Sequence, residues 1–322
     1  MREFAFELAV CAALETESDG VIARQLGTHT RIVDVVEVRP GPEFDRRAAI
    51  TAETIPEPAI ESDVGVGRAR RPKAAIDAHP DRASTVADRA VKIGFFEEER
   101  RRGRRYVRRT TTYPEWIGGL CAFENKPDLG RPGDLELQLR KDVSLSLFDE
   151  VVLVTASYVT GAHLNRIPEP VGVWRFDPDR GTFEIVREAT PLPASEPGIA
   201  VIDESPTRVE VEPVDADEKA RLRRRVAERA YGKGWRPQKL PGCAKASARG
   251  TEFSDDDVLP YCAWKGRFVD PARECGPECE GHDESEPPSA DIEAQRERHS
   301  PWVADPAGVA RRQVGLDRFR NE

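Results

Sequence analysis

The chain has 322 residues, of which 39% are hydrophobic and 33% are charged, so one large domain or two ordinary ones with a sizeable core are possible. No apolar run approaches the roughly 20 residues of a membrane-spanning helix, and the N-terminus lacks the basic-then-apolar pattern of a secretory signal. We therefore expect a soluble, cytoplasmic protein with no membrane partner.

The first predicted elements are a helix and two strands. Residues 3–17 are mostly good helix formers, which favours a helix. Residues 21–26 and 31–38 are rich in β-branched residues and flank a Gly27-Thr28 turn, which is typical of two short strands.

The segment 43–112 differs from what precedes it. An amphipathic stretch ends at Gly94, and two short strands are predicted on either side of Gly103. A helix followed by such a hairpin resembles the recognition helix and wing of a winged helix-turn-helix. We therefore predict an inserted winged-helix-like module over residues 43–112.

The second half begins with a strand over residues 116–124. A helix over 134–146, with Leu135, Leu139 and Val143 at helical spacing, leads to an apolar strand over 151–158 that is typical of burial on both faces. A hairpin (171–176 and 182–186) and a loop then lead to a helix over 216–231, for which Gly232 is the expected stop.

Charged residues interrupt apolar segments at three places. Glu7 lies inside a helix that is apolar on nearly every side, and Asp34 interrupts the strand "IVDVV". Glu124 and Lys126 end the next core strand and, two residues apart, lie on one face of it. A carboxylate in apolar surroundings costs several kcal/mol unless it is paired or bound to a metal. These residues are therefore candidates for one functional site.

This arrangement resembles the PD-(D/E)xK nuclease superfamily, over roughly residues 3–42 and 113–190. The resemblance implies an α/β fold with a restriction-endonuclease-like mixed-sheet core (αβββαβ), formed by residues 1–42 and 113–190 around the inserted module. A cysteine-bearing segment (191–279) and a polar, largely disordered tail (280–322) would follow. The aspartate lacks the proline that precedes it in the named motif, and the long Asp34-to-Glu124 spacing requires the insertion.

The resemblance also implies chemistry. Asp34 and Glu124, completed by Glu7, would hold Mg²⁺ or Mn²⁺, and Lys126 would orient or activate the attacking water. Gln138 resembles the catalytic glutamine of RecB-like members. Phosphodiester hydrolysis needs a hard cation on oxygen ligands and neutralisation of developing charge, which this set supplies. The expected protein is a metal-dependent DNA nuclease.

Other interpretations stay open. Glu124 and Lys126 are also compatible with an ion pair at a strand end, and Glu7 with a solvated helix edge. The alternative functions are a non-catalytic DNA-binding protein, regulatory or architectural, on a nuclease-like scaffold, and a zinc-dependent protein-interaction module.

The composition is acidic, with 58 acidic against 49 basic residues and only nine lysines. This balance resembles the proteome of salt-loving archaea, and the stretch "ERAYGKGWRP" resembles an uncharacterised haloarchaeal domain family. Because the whole surface is acidic, local basic patches are more informative than net charge about nucleic-acid partners.

One basic patch lies in the predicted hairpin, where seven of ten residues are arginine: Arg100, Arg101, Arg102, Arg104, Arg105, Arg108 and Arg109. Such residues bind phosphates without reading sequence, which favours DNA as the partner. The alternative is a solvated hairpin whose arginines pair with Glu97, Glu98 and Glu99.

Four cysteines lie close together in sequence: Cys243, Cys262, Cys275 and Cys279. A reducing cytoplasm argues against disulfides. These thiols could hold Zn²⁺, with His282 as a spare ligand. They could instead hold a 4Fe–4S cluster, as in some members of the nuclease superfamily, or be scattered free thiols. Cys11 and Cys121 are expected in the core.

Overall fold

The computed structural model describes residues 3–295, apart from residues 29–30, 131–133, 206–207, 238, 252–253 and 293. The chain divides into two compact units. The first comprises the residues up to Arg39, Gly119–Ala230 and the residues from Gly234 onward. The second comprises Pro40–Gly118 with Tyr231–Lys233.

Both units contain helices and strands. The helices are α1 Glu3–Glu17, α2 Phe44–Ala48, α3 Glu57–Ile60, α4 Pro72–Ala75, α5 Pro80–Lys92, α6 Leu135–Leu145, α7 Gly161–Leu164, α8 Ala216–Lys233 and α9 Pro271–Glu274. The strands are β1 Val21–Gly27, β2 Ile32–Pro40, β3 Phe96–Arg101, β4 Arg104–Arg109, β5 Ile117–Asn125, β6 Glu150–Thr155, β7 Gly172–Asp177, β8 Thr182–Arg187, β9 Gly198–Ser205, β10 Arg208–Val214, β11 Ala246–Thr251, β12 Ser254–Cys262 and β13 Arg267–Phe268.

The first unit contains a six-stranded mixed sheet with the strand order β1-β2-β5-β6-β7-β8. β1 and β2 are antiparallel, β5, β6 and β7 are parallel, and β8 returns antiparallel to β7. Helix α6 connects β5 to β6, as a parallel pair requires a crossover. The predicted mixed α/β class is confirmed, whereas the restriction-endonuclease-like assignment stays a prediction.

Helix α1 is apolar nearly all round, and the structure buries every residue from Phe6 to Leu14. It shares one core with residues of β1, β2 and β6, among them Ile22, Val35 and Val154. A helix buried on all sides cannot expose Glu7 to bulk water, so this carboxyl needs partners within the protein.

The second unit has its own core, in which Ala83 of α5 clusters with Phe95 and Val107. β3 and β4 form the predicted hairpin, and its two turn residues, Arg102 and Gly103, have φ of 51° and 75°. Two positive φ values in a two-residue loop match the twist of a hairpin. The order of helix and hairpin is confirmed, and the winged-helix assignment stays a prediction.

Two expectations for the C-terminal half were wrong. The region between β8 and α8 is not all loop, because β9 and β10 form an antiparallel hairpin there. Helix α8 continues past Gly232, and Gly234 is its C-cap with φ of 62°. Gly232 serves close packing instead, since a Cβ there would lie 2.1 Å from Oγ1 of Thr54.

The cysteine-bearing segment forms a three-stranded sheet, β11-β12-β13, followed by α9. Part of the predicted polar tail makes specific contacts with it. Glu284 pairs with Cys243 in an isolated β-bridge, and the amide oxygen of Gln295 accepts the N–H of Val258 at 2.8 Å. Residues 296–322 of that tail lie outside the described residues.

Candidate functional site

Three predicted site residues meet where α1, β2 and β5 lie together in the first unit. The amide nitrogen of Gln25 donates to Oε2 of Glu7 at 2.6 Å and to Oδ1 of Asp34 at 3.1 Å. Oδ2 of Asp34 accepts the backbone N–H of Asn125, the residue after Glu124, at 2.9 Å. The carboxyls of Glu7, Asp34 and Glu124 are therefore brought to one place.

Gln25 reaches two carboxyls because of an unusual backbone conformation. It follows the pair Arg24↔Val35 in the antiparallel register, opposite Asp34, with φ of 52°. A non-glycine residue in the left-handed region costs on the order of 1 kcal/mol or more and needs surroundings that hold it. The sequence gives no signal for this conformation, and Gln25 was missed as a site residue.

Glu7 is almost fully buried, at 3% exposed. Its Oε1 accepts a hydrogen bond from Nη1 of Arg24 at 2.7 Å, in addition to the bond from Gln25. Burial raises the pKa of the Glu7 carboxyl to about 7 despite the opposing attraction of Arg24. The solvated helix edge is excluded for Glu7, which lies inside the site.

Glu124 is 6% exposed, and Nη1 of Arg31 donates to its Oε2 at 2.9 Å. Burial, and next the negative charge of Asp34, raise the pKa of Glu124 to about 7. Burial likewise raises the pKa of Asp34, although the N–H of Asn125 stabilises its charged form. The two carboxylates are close enough to disfavour simultaneous ionisation.

Asp142 is a further buried carboxyl, at 3% exposed, which the sequence analysis missed. Both of its oxygens bind the guanidinium of Arg31, from Nε at 2.9 Å and from Nη2. The buried face of α6 consists of Leu135, Leu139 and Asp142. Asp142 therefore takes the third position, which the sequence analysis had assigned to Val143. The spacing 135, 139, 142 was the available signal, because an aspartate on a buried helix face needs a partner.

Lys126 and Gln138 lie at the margin of this group. Nζ of Lys126 is 3.3 Å from Oε1 of Glu3 rather than on Glu124, so the predicted strand-end pair is not the observed one. The side chain of Lys126 is 29% exposed. Gln138 is exposed on α6, one helical turn before Asp142. Their catalytic roles stay predictions.

The cluster carries more negative than positive charge. The carboxyls of Glu7, Asp34, Glu124 and Asp142 supply four formal negative charges, and the paired Arg24 and Arg31 supply two positive ones. One divalent cation would balance the difference, and carboxylate oxygens are suitable ligands for Mg²⁺. Among the described residues, no group of three or more His, Cys, Asp or Glu is arranged to hold a metal ion. Gln25 stands between Glu7 and Asp34, and Arg31 stands between Glu124 and Asp142.

The arginines of the β3–β4 hairpin mostly have partners within the second unit. Arg100 and Arg105 pair with Glu98, Arg101 pairs with Glu99, and Arg108 pairs with Glu97. Arg109 donates to the main-chain oxygens of Ile60 and Ser62. Arg102 and Arg104 are exposed and form no ion pair within the described part of the chain. Binding of DNA by this hairpin stays a prediction.

The side chains of the four clustered cysteines are partly buried. Cys262 is the last residue of β12 and pairs with Ala246. Ala246 is three residues after Cys243, so these two cysteines lie near the same end of the β11–β12 pair. The turn after Cys262 packs on the turn after Cys279, since a Cβ at residue 281 would lie 2.3 Å from the indole of Trp264. Burial, and next the nearby Cys262, raise the pKa of Cys275. Zinc, a cluster and free thiols all stay predictions, and His282 is near Cys279 through its N–H bond to the Cys279 carbonyl at 2.9 Å.

The other two cysteines are core residues. Cys11 and Cys121 are each 0% exposed, and burial raises the pKa of both thiols well above the ordinary range. Their predicted role as small core residues is confirmed.

A cleft beside the site is lined by α6, β9 and α8. It encloses about 710 Å³ of empty space, part of it open to solvent. Its lining includes Thr28 and Asp142 as well as Lys219, Arg225 and Arg229. Asp142 of the carboxyl cluster therefore lines the same cleft as three basic side chains.

A family model described as "Family of unknown function (DUF5787)" matches residues 21–284. The chain belongs to this family. The matched region contains Asp34, Glu124 and Asp142, so a DUF5787 domain holds most of the cluster, while Glu7 precedes the match. No curated protein and no solved structure matches the chain. Within the described part of this DUF5787 protein, no helix is both long enough and apolar enough to cross a membrane.

Proposed function

We propose that the protein is a metal-dependent nuclease that hydrolyses phosphodiester bonds of DNA. The observation that carries this proposal is the convergence of Glu7, Asp34 and Glu124 from three separate elements. The element order α1-β1-β2-β5-α6-β6, with β5 parallel to β6, is also the order that the nuclease resemblance implies. The order and the convergence support the same function from independent features.

The charge of the cluster fits a divalent cation. Burying carboxylates without full compensation is costly, and proteins relieve the cost by protonation or by cation binding. Burial raises the pKa of both Glu7 and Glu124 to about 7, so a cation would bind the cluster in competition with protons. Oxygen ligands with spare negative charge are the donor set that Mg²⁺ and Mn²⁺ prefer.

In this proposal Asp34, Glu124 and Glu7 bind the cation, which supplies Lewis-acid stabilisation of charge on the phosphate. Gln25 fixes the relative positions of Glu7 and Asp34 through its two hydrogen bonds. Lys126 follows Glu124 by two residues, and its partly exposed ammonium group can orient the attacking water. Water adds to phosphorus as the P–O bond to the leaving oxygen breaks, and that oxygen takes up a proton.

The test is cleavage of single-stranded, duplex and branched DNA in high KCl with Mg²⁺ or Mn²⁺. Asp34→Asn and Glu124→Gln should abolish cutting. Glu150→Gln is a matched control, because Glu150 pairs with Arg39 at 2.7 Å in the same sheet but outside the cluster. Absence of cleavage by the wild-type protein on all three substrates would contradict the proposal.

A second function is favoured by one observation, the position of Arg31. Its guanidinium already bridges Glu124 and Asp142, as a cation would. A non-catalytic DNA-binding protein on this scaffold would keep that bridge permanently. It would bind no Mn²⁺ at the cluster, and Glu124→Ala would leave its DNA affinity unchanged.

A further inference from the structure

The guanidinium of Arg31 uses its two edges differently. The Nε and Nη2 edge binds both oxygens of Asp142, with Nε 2.9 Å from Oδ1. Nη1 instead lies 2.9 Å from Oε2 of Glu124. Because a guanidinium carries five N–H donors in a rigid fork, the Nη1 and Nη2 edge can still face two further oxygens.

Arg31 is held at both ends without any help from Glu124. Its backbone belongs to the β1–β2 turn, where the N–H of Thr28 donates to the carbonyl of Arg31 at 2.7 Å. The N–H of Arg31 donates in return to Oγ1 of Thr28 at 3.3 Å. Its side chain is 11% exposed and is fixed by the almost buried Asp142. The guanidinium therefore keeps its place when its contact with Glu124 is lost.

The contact with Glu124 is the replaceable one. A carboxylate oxygen that binds a divalent cation is a weaker acceptor for an arginine, whereas the two bonds to Asp142 are unaffected. The Nη1 and Nη2 edge would then present parallel N–H donors toward the cluster. Two non-bridging oxygens of a phosphodiester match this fork, and charge-assisted bidentate pairs of this kind are strong.

We propose that Arg31 binds the phosphodiester of the nucleic-acid substrate and that Asp142 is the positioning residue that holds it there. This inference rests on the proposed function, since it uses Glu124 as a cation ligand. The competing explanation is a structural ion pair that attaches α6 to the β1–β2 turn. Loss of a purely structural pair would lower thermal stability alone. Loss of a phosphate-binding arginine would also lower the affinity for DNA.

Two measurements on Arg31→Lys and Asp142→Asn distinguish these explanations. Mn²⁺ binding is followed by electron paramagnetic resonance without DNA, and binding of a fluorescent duplex is followed by anisotropy with Ca²⁺ in place of Mg²⁺. Arg223→Lys is the matched control, because Arg223 is 15% exposed and pairs with Asp149 at 2.7 Å outside the cluster. Thermal unfolding of each variant establishes that it is folded.

Arg31→Lys should bind Mn²⁺ at least as tightly as the wild type and bind the duplex about tenfold more weakly, the loss expected for one charge-assisted bidentate contact. Asp142→Asn should also weaken duplex binding, and the control should change neither affinity. Wild-type duplex affinity in a folded Arg31→Lys protein that binds Mn²⁺ would overturn the inference and leave the proposed function standing. Absence of Mn²⁺ binding by the wild type would instead contradict the proposed function itself.

Discussion

Oδ2 of Asp34 lies 2.9 Å from the backbone nitrogen of Asn125, which is 91 positions further along the chain. The bond joins β2 directly to the end of β5, the strand that carries Glu124. Asp34 is therefore held by a backbone donor as well as by the side chain of Gln25, while Glu124 is held by the side chain of Arg31. This difference determines how each residue should respond to substitution.

Asp34→Asn should lower the pKa of Glu124, because the negative charge of Asp34 is a cause of its upward shift. Each pKa unit corresponds to about 1.4 kcal/mol. The variant should therefore unfold at a higher temperature than the wild type at pH 8 without divalent cations, and bind Mn²⁺ more weakly. An NMR titration of the glutamate carboxyl carbons measures the pKa. An unchanged Glu124 titration would show that the two carboxyls do not interact.

Stability should fall as the pH rises toward neutrality. The carboxyls of Glu7 and Glu124 have pKa values of about 7 in the folded chain, against 4.5 for an ordinary glutamate. The folded state thus binds more protons than the unfolded state. The stability that these two groups provide is fully present below pH 4.5 and is lost as the pH rises through 7. The free energy of unfolding should fall by on the order of 3 kcal/mol for each carboxyl.

Thermal unfolding at several pH values checks this, with Glu7→Gln and Glu124→Gln as variants that should flatten the profile. Mn²⁺ should restore stability at pH 8 more than at pH 5.5, because it binds the deprotonated carboxylates. A stabilisation by Mn²⁺ that does not depend on pH would contradict the assignment of the cation to this cluster.

Lys126→Ala should abolish DNA cleavage while leaving DNA binding unchanged. Within the described part of the chain its ammonium pairs with the exposed Glu3, and exposed pairs contribute about 0–1 kcal/mol. The melting temperature should therefore stay close to that of the wild type. Glu3→Ala is the control that removes the same pair without removing the lysine. Cleavage by Lys126→Ala at the wild-type rate would exclude this lysine from the reaction.

Arg102 and Arg104 should contribute to DNA affinity more than the paired hairpin arginines do. Replacing both with Ala should reduce the slope of log affinity against log salt by about 2, with no effect on stability. Arg108→Ala, which loses the pair with Glu97, serves as the comparison. Titrations of a fluorescent duplex at several KCl concentrations measure the slope, and an unchanged slope would mean that this turn does not contact DNA.

The purified protein should contain a metal bound by its four clustered cysteines. Elemental analysis distinguishes zinc from iron, and an iron–sulfur cluster adds absorbance near ~400 nm. Cys275→Ser and Cys279→Ser should lose the metal, because thiolates are the preferred ligands of both. Cys121→Ala is the control, since this thiol lies in the core of the sheet. Metal-free wild-type protein would leave the four residues as free thiols.

The elements with long apolar runs were predictable from the sequence. Helix α1 and strand β6 are both buried, and their largely apolar sequences predicted this. Glu7 and Asp34 were found because a charge inside such a run has a cost that requires an explanation. Strands β9 and β10 were missed although "RVEVEPV" alternates, because the charged residues and the proline around its valines resemble a polar loop.

The rest of the site depends on tertiary geometry. Gln25 has its role because its φ is positive, and a glutamine in the sequence does not predict a positive φ. Arg31 lies at a turn, where an arginine side chain is usually solvated. Asp142 was missed because Val143 was chosen in its place. Either residue continues the helical stripe of Leu139, and only packing decides which of the two is buried.

The separation of Asp34 from Asn125 by 91 positions also has a consequence for synthesis. At about 5–20 residues per second, the strand that carries Glu124 follows β2 from the ribosome after roughly 5–20 seconds. During that interval Glu7 and Asp34 have been made but β5 has not. The second unit, whose core is formed largely within residues 40–118, is made in the meantime and can fold first. Completion of the sheet, and with it of the carboxyl cluster, is therefore expected to be a late event in the maturation of the chain.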